Sequence, residues 1–503
     1  MTHEEVRHEQ DNKPPSIADG PAQLVARRVF WWTLLAAALV CTIAAVVYAR
    51  EGLTLSHYDA RAHLVVARRI VDSLTPGWRQ IGAVWLPLPH LLNLLPAQLD
   101  WNYRTGFLSV GISIAALSLG LAAIASYVYR RTGALWPALV APALVLSSPD
   151  VLYLVSTPMT EPLLFGVAML ALVSVDRWIR VPDTARLMRA VWAVGALMLT
   201  RYEGWAITGA LFVVIVLSMT RRHYVGTAAL IGTAMAAVAG FVFMSWWATG
   251  IWFVSDGFFT PDNPVRHNLP ATLALVLTST RELGGDLLVA AGIAGAASCL
   301  VAAWRDRAAL LPGVLLAAAA LPTVAFYEGH PHRIRYMVPL VVACGVLAAF
   351  AVARMPKKIH AVVAVLLVAG VVIARPSFDP KAPMVVEAQW EAPFRIGRQA
   401  VSRYLEGAYD HTPILASMGS LAHYMQESSA HGMRIHDFVH EGNGDLWSGA
   451  MLTPRAHVAW ILIEEQAEGG DELAKRARRD PTFLDGFARV AEGGGVALYR
   501  RVH

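Results

Sequence analysis

Long uncharged runs of apolar residues recur along most of this 503-residue chain and stop near residue 375. One helix needs about 20 such residues to cross a bilayer. The first run, Val29 to Ala49, follows Arg27 and Arg28 and is too long for a cleaved signal peptide. The others lie approximately at 107–129, 134–149, 162–176, 190–200, 204–220, 225–251, 287–304, 308–327, 336–353 and 359–374. The pattern predicts an α-helical polytopic membrane protein with about 11 transmembrane helices.

Basic residues mark every second connection between these runs. Short basic loops of membrane proteins face the cytoplasm. The alternation therefore predicts a cytoplasmic N-terminus, an outer C-terminus and a location in the cell inner membrane. The residues concerned are Arg130, Arg131, Arg177, Arg180, Arg186, Arg189, Arg221, Arg222, Arg305, Arg307, Arg354, Lys357 and Lys358.

The polar segments divide the chain into three parts. Residues 1–26 are predicted to be a disordered cytoplasmic leader, and 27–375 a transmembrane module with long outer loops at 50–106 and 252–286. Residues 376–503 are predicted to form a small extracytoplasmic α/β domain. In it, PILASMGSL indicates a strand entering a glycine turn, HVAWILIEE a buried strand, PTFLDGFARV a helix and GVALYRRV a final strand.

Composition agrees with a membrane protein, since only 16% of residues are charged and 56% are hydrophobic. A soluble domain carries about a quarter charged residues. The three cysteines, Cys41, Cys299 and Cys344, lie in different apolar runs, which disfavours a disulfide framework or a thiolate metal site. A nucleic-acid partner is not expected.

The predicted spans have almost no charge at their centres, whereas a transporter places ionisable residues there. The charges instead gather at the outer ends of spans. His57, Tyr58 and Asp59 precede an amphipathic stretch that includes Arg61 and is predicted to lie at the interface. Asp59 is either the N-cap of that helix or a general base, and both interpretations stand.

Two further clusters lie between short spans. Glu161 lies at the outer end of a span, where its charge either interacts with the dipole of the helix N-terminus or belongs to a functional site. Thr160 is a candidate N-cap for the same helix. Arg201, Tyr202 and Glu203 are explained either by an ion pair at a helix end or by an arginine directed at a phosphate.

A last cluster on the outer side contains His330, His332, Arg333, Arg335 and Tyr336. Arginine binds phosphate through a bidentate fork, which favours an anion site here. Two alternatives remain: the histidines hold a metal, or the arginines reach lipid phosphates at the membrane surface.

Together these segments resemble the GT-C superfamily of membrane glycosyltransferases. The resemblance is to the polyprenyl-phosphate-sugar-dependent branch, with protein O-mannosyltransferases and lipid A aminoarabinose transferases. It rests on Tyr58-Asp59 at the start of the first outer loop, on the stretch from Trp85 to Pro89, on Glu161, and on the segment from His330 to Tyr336. It covers roughly residues 27–375 in arrangement.

The resemblance implies roles for individual residues. Asp59 matches the first-loop catalytic carboxylate and Glu161 the second acid, which together would hold a divalent ion if there is one. Ala60 follows Asp59 where many members have a second acid, and this weakens the case for metal. Arg201, Arg333, Arg335 and Tyr336 are expected at the donor phosphate. Supporting roles are expected for His57, Tyr58, Arg61, Tyr202, His330 and His332.

The function expected from this resemblance is transfer of a monosaccharide, with mannose as the first candidate, from a polyprenyl-phosphate donor. The acceptor would be a hydroxyl of a lipid, glycan or protein at the outer membrane face. The alternatives from other classes are a lipid or glycan transporter or flippase, and a ligase of preassembled glycans.

Overall fold

The computed structural model describes residues 21–254, 263–467 and 470–502. Each predicted span coincides with a helix. Of the predicted leader, residues 1–20 lie outside the described residues, and 21–26 belong to the first helix, so that part of the leader is not disordered. The helices of the bundle are Pro21–Arg50, Phe107–Thr132, Leu135–Ser147, Pro149–Val155, Glu161–Arg180, Thr184–Met198, Glu203–Ser218, Tyr224–Thr249, Leu269–Ala303, Ala320–Glu328, Val338–Arg354 and His360–Ala374, and a 3-10 helix spans Arg307–Ala319.

Within the described residues, eight helices are long and apolar enough to cross a membrane. A bent pair, Leu135–Ser147 and Pro149–Val155, adds a ninth crossing if it counts as one span; its two halves meet at 75°. Ser148 at the bend caps the second half by accepting from the Val151 N–H, and Pro149 follows at a position where its missing N–H costs nothing. The chain is a multi-pass membrane protein, and the count of 11 crossings stays a prediction.

Small residues set how closely the helices pack. A side chain at Gly295 would overlap the backbone of Leu347, so glycine lets the helix Leu269–Ala303 lie directly against Val338–Arg354. The helix Leu269–Ala303 begins well inside the predicted outer loop 252–286 and bends at Gly285, whose φ of 73° suits glycine. Residues 255–262 of that loop lie outside the described residues.

The first loop is folded rather than extended. Its longest element is the helix Tyr58–Arg69, here named the first-loop helix, which is buried along nearly its whole length. The amphipathic helix predicted at the interface is therefore present, but other protein elements cover it. Shorter helices follow at Leu88–Leu92 and Asp100–Thr105, with 3-10 turns at Trp78–Ile81 and Pro96–Gln98.

The tail forms the predicted α/β domain around a five-stranded sheet of order β2-β1-β3-β5-β4. Strand β1 runs parallel to β2 and β3, while β5 is antiparallel to β3 and β4. The strands are β1 Ile414–Ala416, β2 Phe438–Val439, β3 Trp460–Glu464, β4 Phe487–Gly493 and β5 Val496–Arg501; the helices are Pro383–Glu387, Ala392–Ala408, Met418–Ser428, Asp445–Leu452, Pro454–His457 and Glu472–Arg479.

The predicted strands β1, β3 and β5 are confirmed, and two other local predictions are wrong. The glycine after β1 does not make a turn, because the helix Met418–Ser428 begins directly after the strand. PTFLDGFARV is not a helix, since only Pro481–Leu484 turns as a 3-10 helix. Residues from Phe487 pair with β5, and tertiary pairing outweighs the local helical pattern.

The α/β domain packs on the first loop, which places both at the same end of the bundle, here named the domain end. His436 Nδ1 lies 2.7 Å from Asp72 Oδ1, and Gln80 Nε2 donates to the Gly442 carbonyl oxygen at 2.8 Å. The arginine-rich turns around Arg131 and Arg180 lie at the opposite end, here named the basic end. The domain end is therefore where the first loop, the α/β domain and the segment 376–391 between the bundle and that domain, here named the linker, converge.

Candidate active site

The first-loop helix fixes the backbone around Asp59. His57 is its N-cap, with Nδ1 accepting a hydrogen bond from the Asp59 N–H at 3.1 Å. The interpretation of Asp59 as the cap is therefore wrong, because His57 has that role. Asp59 lies in the first turn, where the helix dipole favours a carboxylate.

Asp59 is buried and forms an ion pair with Arg335, which enters the cluster from the far end of the chain. Burial alone would raise the pKa of the Asp59 carboxyl, but the charge of Arg335 and its hydrogen bond hold that pKa below its usual value. The carboxyl is consequently ionised at neutral pH.

Arg335 also connects Asp59 to the second predicted acid, since its Nε lies 4.0 Å from Glu161 Oε1. Glu161 is fully buried, and its stronger partner is Arg201, with Nη1 3.0 Å from Oε1. Thr160 does not cap the helix that Glu161 begins; its hydroxyl accepts instead from Arg201 at 2.7 Å.

A third carboxylate, Glu203, completes the cluster. Arg201 Nη2 donates to Glu203 Oε1 at 2.8 Å, and Glu203 is 1% exposed. The cluster thus contains three carboxylates and two guanidinium groups and is here named the ion cluster: Asp59, Glu161, Arg201, Glu203 and Arg335. The ion-pair interpretation of the Arg201 segment is confirmed, since Arg201 pairs with Glu203 and with Glu161. A role for Arg201 in phosphate binding stays a prediction.

The remaining predicted residues of the last cluster divide among different partners. The Arg333 guanidinium carbon lies 5.9 Å from the ring centre of Tyr58 and 5.7 Å from that of Trp390. Tyr336 lies beside Arg335, with the guanidinium carbon 5.4 Å from its ring centre. Arg333 and Tyr336 therefore border the ion cluster.

The two histidines do not form a metal pair. His332 Nε2 lies 2.9 Å from Ser279 Oγ, while His330 Nδ1 lies 2.8 Å from the Pro331 carbonyl oxygen. Across the described parts of the chain, no three His, Cys, Asp or Glu side chains are grouped to hold a metal. Asp59 and Glu161 face a shared arginine, so a divalent ion would have to displace Arg335 and the residues present do not fit one.

Arg61 and Tyr202 lie outside the ion cluster. Arg61 donates to the carbonyl oxygens of Leu55 and Ser56 at 2.5 and 2.8 Å and pairs with Glu427 of the α/β domain. Tyr202 donates its hydroxyl to the Val84 carbonyl oxygen at 2.8 Å, which ties the first loop to the bundle.

Sequence reasoning missed two residues at this end. The sequence alone predicts for Glu203 only an ion pair with Arg201. A carboxylate two residues from a candidate site arginine is nevertheless a signal that could have placed Glu203 in the site. Glu387 of the linker accepts from the Ile334 N–H at 3.0 Å and lies 3.4 Å from His57 Nε2. No local pattern around Glu387 pointed to a site.

An apolar cavity of about 380 Å³ opens beside the first loop. One wall is the helix Tyr224–Thr249, whose Phe241 ring lies 6.0 Å from that of Tyr202. Leu199, two residues before Arg201, also borders it. The cavity is lined by Ile81, Gly82, Pro87, Gly195, Leu199, Thr233, Ala236, Ala237, Gly240, Phe241 and Met244.

These features define a class of molecule: a polytopic membrane protein with a cluster of buried charges at one end of the bundle, beneath a folded first loop and an α/β domain. No protein-family model matches the chain, and no curated protein matches its sequence.

Two solved structures share the fold across nearly their whole length. Both are crystal structures of ArnT from Cupriavidus metallidurans. The one bound to undecaprenyl phosphate is 15% identical with a TM-score of 0.54, and the apo one is 16% identical with a TM-score of 0.56. Each match covers 92% of this chain and 97% of the other. The architecture expected from the resemblance is therefore confirmed as a shared fold.

Proposed function

We propose that this protein is a glycosyltransferase that moves a monosaccharide from a polyprenyl-phosphate donor to an acceptor hydroxyl. The observation that carries the proposal is the ion cluster, in which Arg335 lies between Asp59 and Glu161 at the domain end of the bundle. The fold is shared with a protein solved with undecaprenyl phosphate, which supports the same class of donor.

In the proposed reaction the acceptor oxygen attacks the anomeric carbon of the donor sugar. The bond from that carbon to the phosphate oxygen breaks, and its electron pair leaves with the polyprenyl phosphate. The acceptor proton passes to the Asp59 carboxylate, which acts as general base. Attack opposite the leaving phosphate inverts the anomeric centre, the outcome implied by the GT-C resemblance.

Arg335 couples donor binding to the strength of this base. An arginine paired with Asp59 keeps that carboxylate weakly basic, because the positive charge lowers its pKa. A donor phosphate that takes up some of the Arg335 N–H groups weakens this attraction and raises the basicity of Asp59. Arg335, Arg201 and Arg333 would stabilise the leaving phosphate.

The apolar cavity suits the isoprenoid part of such a donor. Apolar side chains and small residues line it, and it approaches Tyr202 and Arg201 at the edge of the ion cluster. A lipid tail in the cavity would leave its phosphate near the arginines.

The proposed location is the inner membrane, with the domain end facing outward and the basic end in the cytoplasm. The alternation of basic loops supports this orientation. A lipid-linked donor fits that side because nucleotide sugars are confined to the cytoplasm. Mannose remains the first sugar to test, with a lipid, glycan or protein as acceptor.

The test compares purified wild type with Asp59→Asn, using polyprenyl-phosphate mannose and then a panel of related donors. Donor binding is measured first in both proteins. We expect Asp59→Asn to bind normally and to lose about 100-fold or more in turnover, the usual contribution of a general base. Asp100→Asn is the matched control, since Asp100 lies in the same loop but pairs with Arg68.

Two results would count against the proposal. Equal turnover in Asp59→Asn and wild type removes Asp59 from the chemistry. Absence of turnover by wild type with every polyprenyl-phosphate sugar removes the glycosyltransferase assignment itself.

A further inference from the structure

Glu387 is a buried carboxylate on the linker between the bundle and the α/β domain. It ends the short helix Pro383–Glu387 and is 2% exposed. Burying a carboxylate is costly unless hydrogen bonds or charges satisfy it. The partners it uses are therefore informative.

The first partner is His57, whose Nε2 lies 3.4 Å from Glu387 Oε1. The other ring nitrogen, Nδ1, accepts from the Asp59 N–H and must therefore be unprotonated. In a neutral ring the proton is then on Nε2, which donates to Glu387. The two contacts assign one tautomer to His57 and fix its ring orientation.

The second partner is the backbone of the segment that carries Arg335. Glu387 Oε2 accepts from the N–H of Ile334, the residue directly before Arg335, at 3.0 Å. One carboxylate thus holds both sides of the Asp59–Arg335 ion pair, one through His57 and the other through the backbone.

Glu387 stays ionised in this position. Burial alone would raise its pKa, but the hydrogen bond from His57 and the charges of Arg335 and Arg333 lower it below the usual value. An ionised carboxylate has acceptors for both donors at once, whereas an amide of the same shape does not.

We propose that Glu387 is a positioning residue for the proposed transfer reaction. It sets the His57 tautomer and holds the backbone segments that carry Asp59 and Arg335 in fixed positions relative to each other. The inference rests on the proposed function of the ion cluster. It gives the linker a part in the chemistry although Glu387 itself touches no reacting group.

A simpler explanation is that Glu387 only attaches the α/β domain to the first loop, and the structure contains a control for that. Glu427 of the α/β domain attaches to the same first-loop helix through Arg61 and also pairs with Arg398 at 2.9 Å. Glu427 makes no contact with His57 or with the Arg335 segment among the contacts of the described residues. Loss of attachment alone would make Glu427→Gln resemble Glu387→Gln.

The kinetic test uses Glu387→Gln, His57→Asn, the double variant and Glu427→Gln in the full-length protein. Gln can accept from Ile334 N–H, but its NH₂ group then faces the His57 Nε2–H, so one hydrogen bond is lost in either tautomer. Asn at position 57 keeps a favoured cap for the first-loop helix but is too short to reach Glu387.

We expect Glu387→Gln and His57→Asn each to lower kcat about 10- to 100-fold with donor KM nearly unchanged, because misplaced groups slow the chemical step. The double variant should lose no more than the worse single variant, because both changes break one connection. Glu427→Gln should keep kcat within about twofold of wild type, since it leaves that connection intact.

A second measurement does not depend on activity. Nitrogen NMR of histidine-labelled protein, with His57→Asn to assign the signal, reports which nitrogen of His57 carries the proton. We expect the Nε2–H tautomer in wild type and in Glu427→Gln, and a changed or mixed signal in Glu387→Gln.

The two measurements separate the two proposals. If wild type shows the expected His57 tautomer but no turnover, the contact between Glu387 and His57 is supported and the glycosyltransferase assignment is rejected. A His57 signal that Glu387→Gln leaves unchanged would overturn the positioning role, whatever the enzyme's activity. Multiplicative losses in the double variant would overturn it as well.

Discussion

The molecule has an ion-pair network at each end of its helix bundle, and the two differ in how far water reaches them. At the basic end, Asp306 Oδ2 lies 2.6 Å from Arg131 Nη2 and 2.9 Å from Arg180 Nη2. The side chains of Asp306 and Arg180 are 42% and 38% exposed. At the domain end, those of Arg335 and Glu161 are 8% and 0% exposed.

This contrast indicates different purposes. Exposed ion pairs contribute about 0–1 kcal/mol to the free energy of unfolding. Those at the basic end hold neighbouring turns together, and they are here named the clamp. Removing two charges from water costs about as much free energy as their attraction returns, so a contribution to stability does not explain why buried ion pairs are present. The ion cluster is where the chain retains charges at an energetic cost, as sites that stabilise charge in a reaction do.

The largest difference between the ends should appear in stability when one arginine is removed. Arg335→Met leaves two buried carboxylates short of a partner, and we expect it to cost about 3–5 kcal/mol. Arg131→Met at the basic end should cost about 1 kcal/mol or less. Thermal unfolding of both purified proteins measures this. Similar losses at the two ends would mean that burial does not distinguish them.

The next difference concerns turnover. Arg201 contacts Glu161 and Thr160 through Nη1 and Glu203 through Nη2, and a lysine cannot reproduce this planar fork. We expect Arg201→Lys to lower turnover about 10-fold or more, since a charge-assisted hydrogen bond contributes roughly 1.5–3 kcal/mol. Arg180→Lys, the matched change at the basic end, should leave turnover as it is. A loss in Arg180→Lys would show that the clamp also governs the reaction.

The smallest effect should be in the pH dependence. The folded pKa of Asp59 is lowered, so this carboxyl is ionised throughout the neutral range and its contribution is lost only as pH falls through that low value. Because kcat/KM reports the free enzyme, its acid limb from Asp59 should lie below the ordinary aspartate value of 3.8. The limb in kcat, which reports the donor complex, should lie at higher pH.

This prediction is checked with kcat and kcat/KM profiles from about pH 5 to 8, the range in which most proteins stay folded. A flat kcat/KM profile is expected in wild type. An acid limb in kcat/KM near neutral pH that is absent from the residual activity of Asp59→Asn would mean that Arg335 does not control the pKa of Asp59.

The sequence was sufficient for much of the bundle and for the identity of the main charged residues. Long apolar runs predict helices because a segment inside the bilayer must form its backbone hydrogen bonds within itself. The acids Asp59 and Glu161 and the arginines Arg201 and Arg335 can be singled out because they lie at the outer ends of spans whose centres carry almost no charge. Their convergence in space is a property of the fold that spacing along the chain could not reveal.

Other features depended on tertiary contacts. The segment around Phe487 became a strand because β5 lies beside it, and the helix after β1 replaced a predicted turn. The sequence predicts only a supporting role for His57. In the structure it is the N-cap of the first-loop helix, and its hydrogen bond from the Asp59 N–H positions that residue. Glu387 carried no signal, since a single acid in a proline-rich linker looks like an ordinary surface residue.

The position of Glu387 along the chain has a consequence for biogenesis. The first-loop helix emerges from the ribosome hundreds of residues before the linker, which follows the last apolar helix, His360–Ala374. Glu387 can join the Asp59 and Arg335 segments only after the last apolar helix has been inserted and the linker lies on the same side as the first loop. This connection is therefore among the last contacts of the domain end to form, and it forms only in a chain whose helices have inserted with the correct topology.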